Sequence, residues 1–301
     1  MHKLVEIEPK RAQFNVVSDL SFTQVDTWFN HTRKDLKLNL IYAESMQKLP
    51  CLIWICGGGF EMVDKNAHLA YLSKLALQGN FAIASIEYRL ANEAKMPAAL
   101  EDVKAAIRFL RSQSDRFNLD PKRFGIFGES AGGYLSLLAA LNHDKNLEVG
   151  NNLEYSSEVQ AVFAWYPVCD IFDEYFEKTG DNFLQNWTGF PSKSPALYDL
   201  NPINLAENEN NFVPILLIHG NKDTLVPFSQ SKRLYDILES KGADVDLCEV
   251  KKAGHADIRF FQEPLLDLML EFFTKKRIYL WTLSKHLILV HSMKIHSINI
   301  I

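Results

Sequence analysis

The stretch from Arg123 to Leu138, R-F-G-I-F-G-E-S-A-G-G-Y-L-S-L-L, leaves a chain few ways to fold. Phe124, Ile126 and Phe127 form a short apolar run that reads as a buried strand, and Tyr134, Leu135, Leu137 and Leu138 follow with helical spacing. Between them stands a G-x-S-x-G string, Gly128-Glu129-Ser130-Ala131-Gly132. A strand that turns into a helix this abruptly forces its middle residue out of the ordinary backbone regions. It leaves no room for a Cβ two positions to either side. Ser130 is thereby presented at the end of the strand and at the positive end of the following helix, a setting that suits a nucleophile whose attack creates an oxyanion. A purely structural strand-to-helix turn is the alternative, so the rest of the chain must supply a base, an acid and oxyanion donors.

The surrounding pattern alternates strands with helices. Ser21 to Trp28 and Leu36 to Tyr42 alternate apolar with polar residues, as half-exposed antiparallel strands do. Cys51 to Cys56 is a continuous apolar run of the kind buried on both faces, and it ends in Gly57-Gly58-Gly59-Phe60. Ala67 to Leu77 reads as a helix, Phe81 to Ile86 as a strand, and Pro97 opens a long amphipathic helix. Beyond the Ser130 unit come strands at Ala161–Tyr166, Pro214–Ile218 and Val245–Val250, with a helix around Gln230–Leu238. A last helix runs over Asp257–Phe273 with Asp257 as its N-cap. Eight strands, the first two antiparallel, imply an α/β fold with a mostly parallel sheet and helices on both faces. One domain accounts for residues 1–277, with an aromatic-rich cap insertion at about 170–211; residues 278–301 form a tail after the basic break Lys275-Lys276-Arg277.

In such a sheet the partners of Ser130 belong at the mouths of later strands. Asp223 lies in the polar loop after the Pro214 strand, and His255 in the loop after the Val245 strand. A serine hydroxyl needs a base, and the base needs a group to orient it; Ser130, His255 and Asp223 fill those roles, and their chain order, Ser130, Asp223, His255, is the one associated with this architecture. Asp170 is the reserve acid. His219, ending an apolar strand, reads as a satisfied structural imidazole, and His68 and His143 as surface residues. The oxyanion donors are expected from the backbone of Ala131 and from the glycine run Gly57-Gly58-Gly59. Cys56 lies inside a strand end without a base and is not read as a nucleophile.

These segments together resemble the α/β-hydrolase superfamily, in its esterase/lipase branch related to hormone-sensitive lipase. The resemblance covers Leu36 to Phe273 and rests on C-G-G-G-F at 56–60, Y-R-L at 88–90, D-V-K-A-A-I-R-F-L-R at 102–111, G-E-S-A-G-G at 128–133, W-Y-P-V-C-D at 165–170, H-G-N-K-D-T-L-V-P at 219–227 and A-G-H at 253–255. It looks closest to small bacterial esterases acting on feruloyl and acetyl groups of plant polysaccharides. The resemblance implies a serine ester hydrolase working through an acyl-enzyme, with no cofactor and no metal. Related hydrolases cleave amides with the same triad, so an aryl-formamidase or a peptidase-like amidase stays open, as does a hydrolase-fold binding protein without chemistry. One departure stands out: the branch usually has His-Gly-Gly-Gly where this chain has Cys56-Gly57-Gly58-Gly59. That histidine, the resemblance implies, holds the oxyanion loop, whose donors carry over as Gly58 and Gly59, and a cysteine is a weak substitute as donor or acceptor.

The aromatics of the insertion, Trp187 foremost, suggest an acyl pocket built with Phe60 and Glu129; a small cap with its own core is the plainer reading. A net charge of −5 without a basic block points away from nucleic acid and anionic membranes. The four cysteines are too few for a disulfide framework, and the N-terminus lacks an apolar signal segment, so a cytoplasmic protein acting on a small-molecule ester is expected. Lys285, His286, His291 and Lys294 interrupt the tail too often for a membrane span, and His286, His291 and His296 share no helical face. An added β-like element, a dimer contact and a segment foreign to the fold all remain open for it.

Overall fold

The computed structural model describes residues 14–27, 30–173, 181–191 and 194–275, with Leu4 and Glu6. The tail and the aromatics Tyr175 and Phe176 lie outside the described residues. Two long strands, β1 (Phe14–Thr27) and β2 (Thr32–Ala43), precede β3 (Leu49–Ile55), α1 (Leu69–Gly79), β4 (Ala82–Ile86) and α2 (Ala98–Ser112). Next come β5 (Leu119–Glu129), α3 (Ala131–Leu141), β6 (Ala161–Trp165), α4 (Asp181–Thr188) and α5 (Pro202–Asn208). The chain continues through β7 (Ile215–Gly220), α6 (Phe228–Ser240), β8 (Val245–Val250) and α7 (Glu263–Lys275).

The strands form one 8-stranded sheet in the order β1-β2-β4-β3-β5-β6-β7-β8. β1 pairs antiparallel with β2, and β2 antiparallel with β4; all other pairs are parallel. The apolar runs are continuous because both faces are covered. In β3, Cys51, Ile53 and Ile55 face one core with Val103, Leu137 and Leu234, while Leu52 and Trp54 face the other with Leu72, Met269 and Phe273. This is the architecture expected from the sequence.

Two elements differ from that expectation. β1 begins at Phe14, well before Ser21, because register shifts between Val17 and Leu20 and between Ser21 and Thr23 break the alternation that would have revealed it. The last helix is not continuous. Asp257 caps a short 3₁₀ turn over Ile258–Phe261, and α7 starts afresh at Glu263. Pro264 explains the break: inside a helix begun at Asp257 its ring would collide with the Phe260 carbonyl, whereas in a first turn it costs nothing.

The turn between β5 and α3 is built on a close backbone contact. Ser130 has φ 50° and ψ −118°, a conformation that disfavours any side chain. A Cβ added to Gly128 would lie 2.5 Å from the Gly132 carbonyl, and one added to Gly132 would lie 2.0 Å from the carbonyl oxygen of Ile55. Only glycine allows α3 to start this close to the end of β3. Gly132→Ala is therefore expected to cost about 1–3 kcal/mol or more through overpacking. Gly242→Ala meets no neighbour within 4 Å and carries only the strain of φ +73°, about 1–2 kcal/mol. Urea unfolding of the two variants checks the ordering, and an unchanged midpoint for Gly132→Ala would contradict the contact.

Candidate active site

Because β3 to β8 run parallel, the loops that leave their carboxyl ends gather at one edge of the sheet. Three of those loops bring Ser130, His255 and Asp223 together. The Ser130 Oγ lies 2.9 Å from His255 Nε2, and His255 Nδ1 lies 2.7 Å from Asp223 Oδ2. A carboxylate can only accept, so Nδ1 carries the proton and Nε2 faces the hydroxyl as an acceptor. Ser130 and His255 are half-buried, and Asp223 is buried.

Asp223 is held from several sides. Its Oδ1 accepts from the backbone N–H of Leu225 at 2.9 Å and of Val226 at 2.8 Å. Oδ2 is shared between His255 and His219 Nε2, the latter at 3.3 Å. Burial alone would raise this carboxyl, but hydrogen bonds from His219, His255 and Val226 hold it well below the usual carboxylate range. His219 is satisfied on both sides, as read from the sequence: Nδ1 lies 2.7 Å from Ser231 Oγ and Nε2 2.9 Å from the Val226 carbonyl. Its contact with the acid was not visible in the sequence.

The glycine run lies against the nucleophile. A Cβ on Gly57 would lie 3.2 Å from Ser130 Cβ and 2.9 Å from the Glu129 carbonyl oxygen. Gly58 and Gly59 follow with φ of +135° and +61°, and Ala131 opens α3 directly after Ser130. Tyr88 fastens the loop by donating from its hydroxyl to the Cys56 carbonyl at 3.0 Å. Burial, reinforced by the neighbouring Glu129, pushes the Cys56 thiol up to about 12, so it is inert as a nucleophile.

Several expected residues take other places. Glu129 is not a pocket wall. It is 7% exposed, and its carboxylate meets His68 Nε2 at 3.2 Å, Cys56 Sγ at 3.7 Å and the Tyr166 hydroxyl. His68 accordingly is no simple surface residue, whereas His143 is exposed. Phe60 and Trp187 are 2% and 3% exposed and stack on one another at 3.8 Å, with Tyr134 edge-on to both. Two rings that bury each other leave no face for a substrate, so the pair fastens the insertion to the body. Among the described residues of the insertion, Trp187, Leu197, Leu200, Ile203 and Ala206 join the cluster under α2 and α3. Asp170, the reserve acid, is spent on anchoring it, bonded to Arg233 at 2.5 Å and Asn201 at 2.9 Å. Tyr166 escaped the sequence reading; a tyrosine set between a strand end and Pro167 was the available signal.

Among the described residues no group of three or more His, Cys, Asp or Glu could hold a metal ion, and no helix is long and apolar enough to cross a membrane.

The sheet order, the turn at Ser130 and the loops that meet there define an α/β-hydrolase. Comparison with known proteins narrows this. The BD-FAE family model matches residues 38–238, and the chain belongs to that family. It is 30% identical to the esterase LipQ of Mycobacterium tuberculosis over 217 residues, 70% of this chain and 51% of LipQ. It thus spans about half the length of the curated relatives it matches. Among solved structures, a truncated carbohydrate esterase from gut microbiota superposes with a TM-score of 0.74 at 26% identity, covering 87% of this chain and 96% of that one. A bifunctional GH43-CE protein of Bacteroides eggerthii gives 0.74 at 27% identity, covering 87% of this chain and 38% of that one.

Because its folded-state carboxyl is depressed, Asp223 contributes stability that is full above its unfolded value of 3.8 and fades as pH falls below that toward the folded value. The gap in unfolding midpoint between the native protein and Asp223→Asn should be constant near neutrality and shrink below pH 3.8. Urea titrations across that range measure it, and a gap that does not change with pH would contradict the depressed carboxyl.

Proposed function

We propose that the protein is a serine ester hydrolase acting on small or carbohydrate-linked esters of the acetyl or feruloyl type. The observation that carries this reading is the unbroken line from Ser130 Oγ through His255 to Asp223, at 2.9 and 2.7 Å. As Oγ attacks the ester carbonyl, its proton passes to His255 Nε2, and the ionised Asp223 balances the imidazolium that forms. The carbonyl oxygen becomes an oxyanion facing the N–H groups of Ala131, Gly58 and Gly59. Collapse breaks the ester bond; His255 gives the proton to the departing alcohol, leaving the acyl group on Ser130. Water then repeats the steps in reverse order and frees the acid. No cofactor enters.

Membership of the BD-FAE family and likeness to a carbohydrate esterase support the choice of substrate class. The exposed Leu225 and Ile258, on the acid and base loops, offer the apolar part of an ester a surface to lie on.

Ser130→Ala should lower turnover of p-nitrophenyl acetate by at least about a thousandfold while leaving thermal unfolding unchanged. A panel of methyl ferulate, acetylated xylo-oligosaccharides, p-nitrophenyl decanoate and N-formylkynurenine tests the substrate class, with the highest kcat/KM expected for the first two. Turnover surviving in Ser130→Ala would remove the nucleophile. A preference for the formamide would replace the esterase reading with an amidase one.

A further inference from the structure

Tyr166 follows β6 and carries φ 36°, a left-handed backbone that a bulky residue rarely adopts. Its ring lies edge-on to the His255 ring at 4.7 Å and to Phe260 at 4.5 Å, and its hydroxyl reaches the Glu129 carboxylate. The opposite side of the same carboxylate receives His68, whose ring stacks on Phe261 at 4.3 Å. Phe260 and Phe261 end the turn that follows His255, so two rings grip the base loop and both are tied to one acid. That acid also takes the Cys56 thiol and the Gly57 N–H, the first members of the oxyanion loop, and it precedes Ser130 in the chain.

We propose that Tyr166 and Glu129 are a positioning pair that sets the His255 ring against Ser130 and holds the oxyanion loop in register with it. The proposal rests on the Ser130–His255–Asp223 reading and adds what keeps those groups aligned. Packing alone does not account for the pair. A phenylalanine would fill the space of Tyr166 without a polar atom, and a buried carboxylate beside a site that develops negative charge is costly unless its donors are needed there. Burial would raise Glu129, but hydrogen bonds from His68 and Tyr166 bring it below the ordinary range. It therefore stays an acceptor for all four donors, and the tyrosine hydroxyl must donate.

The test is a double-mutant cycle on Tyr166→Phe and Glu129→Gln, read by kcat and KM for p-nitrophenyl acetate and by the affinity of phenylboronic acid, which forms a tetrahedral adduct with a reactive serine. Each single variant should lower kcat about ten- to a hundredfold, the worth of a hydrogen bond to a charged group, with KM within about twofold. Boronate affinity should fall in step with kcat, and the downfield Nδ1 proton of His255 should shift in the NMR spectrum. The double variant should be no worse than Glu129→Gln within about twofold, because Tyr166→Phe removes the donor and Glu129→Gln the charge of the same charge-assisted bond. Single variants that keep kcat within about twofold, or losses that multiply in the double variant, would overturn the pair. Should one variant fail to fold, the other decides by the same kcat and boronate criteria. Ser130→Ala separates the two readings: if it is inactive while both single variants turn over normally, the pair falls and the triad stands. If Ser130→Ala is active, the triad itself falls.

Discussion

Two backbones touch where the carbonyl of Ile55 occupies the space a side chain on Gly132 would need. That contact decides how close the nucleophile turn can come to the end of β3, and most of the site follows from it. It brings the loop that leaves β3 over Ser130, so that Gly57 abuts the Ser130 side chain and the Glu129 carbonyl. The parallel pairing of β3 with β5, with Ile55 opposite Gly128, sets both loops at the same height on the sheet edge. β7 and β8 continue the same parallel register and deliver the acid and the base from the other side. A methyl group on Gly132 would meet the Ile55 carbonyl, and one on Gly57 the Glu129 carbonyl, so either would force these backbones apart.

Two buried carboxylates flank Ser130, and their surroundings give them different work. Asp223 spends one oxygen on two backbone N–H groups, which fixes its plane, and turns the other to His255. Glu129 points away from the reacting edge and collects side-chain and backbone donors from the oxyanion loop, α1 and the end of β6. Both are kept ionised by the donors around them, against a burial cost that would otherwise neutralise them. In the proposed reaction the Asp223 charge serves the imidazolium formed during attack. For Glu129 it would oppose the oxyanion if left bare, and spreading it over several donors is what makes it tolerable so close to the nucleophile.

The parts of this arrangement that were legible in the sequence are those with a local signature. The apolar runs of β3 to β7 announced a sheet covered on both faces, and the glycines around Ser130 announced the turn. Asp223 and His255 could be placed because each follows a strand and precedes a helix or turn, so topology alone put them at the mouth. Phe60, Trp187 and Glu129 were misread for a common reason. Their side chains pack against partners far away in the chain, and composition cannot say whether an aromatic ring faces a ligand or another ring. His68 is the same case: its surface-like neighbours conceal a ring that turns inward between Phe261 and Glu129. β1 was shortened because its bulges spoil the period on which strand reading depends.

The fate of the insertion bears on how substrate is selected. Leu197, Leu200, Ile203 and Ala206 join the core beneath α2 and α3, Phe190 and Tyr198 stay exposed, and Trp187 is stacked on Phe60, the residue after the glycine run. A stacked aromatic pair of this kind adds about 0.5–1.5 kcal/mol beyond its buried area, so the insertion braces the loop that carries Phe60. Among the described residues, Met62, Leu225 and Ile258 stand exposed after the glycine run, Asp223 and His255, and Phe190 and Tyr198 stand exposed on the insertion. For the proposed ester hydrolysis, transition-state stabilisation rests on the geometry around Ser130 Oγ and His255 Nε2, which lie 2.9 Å apart.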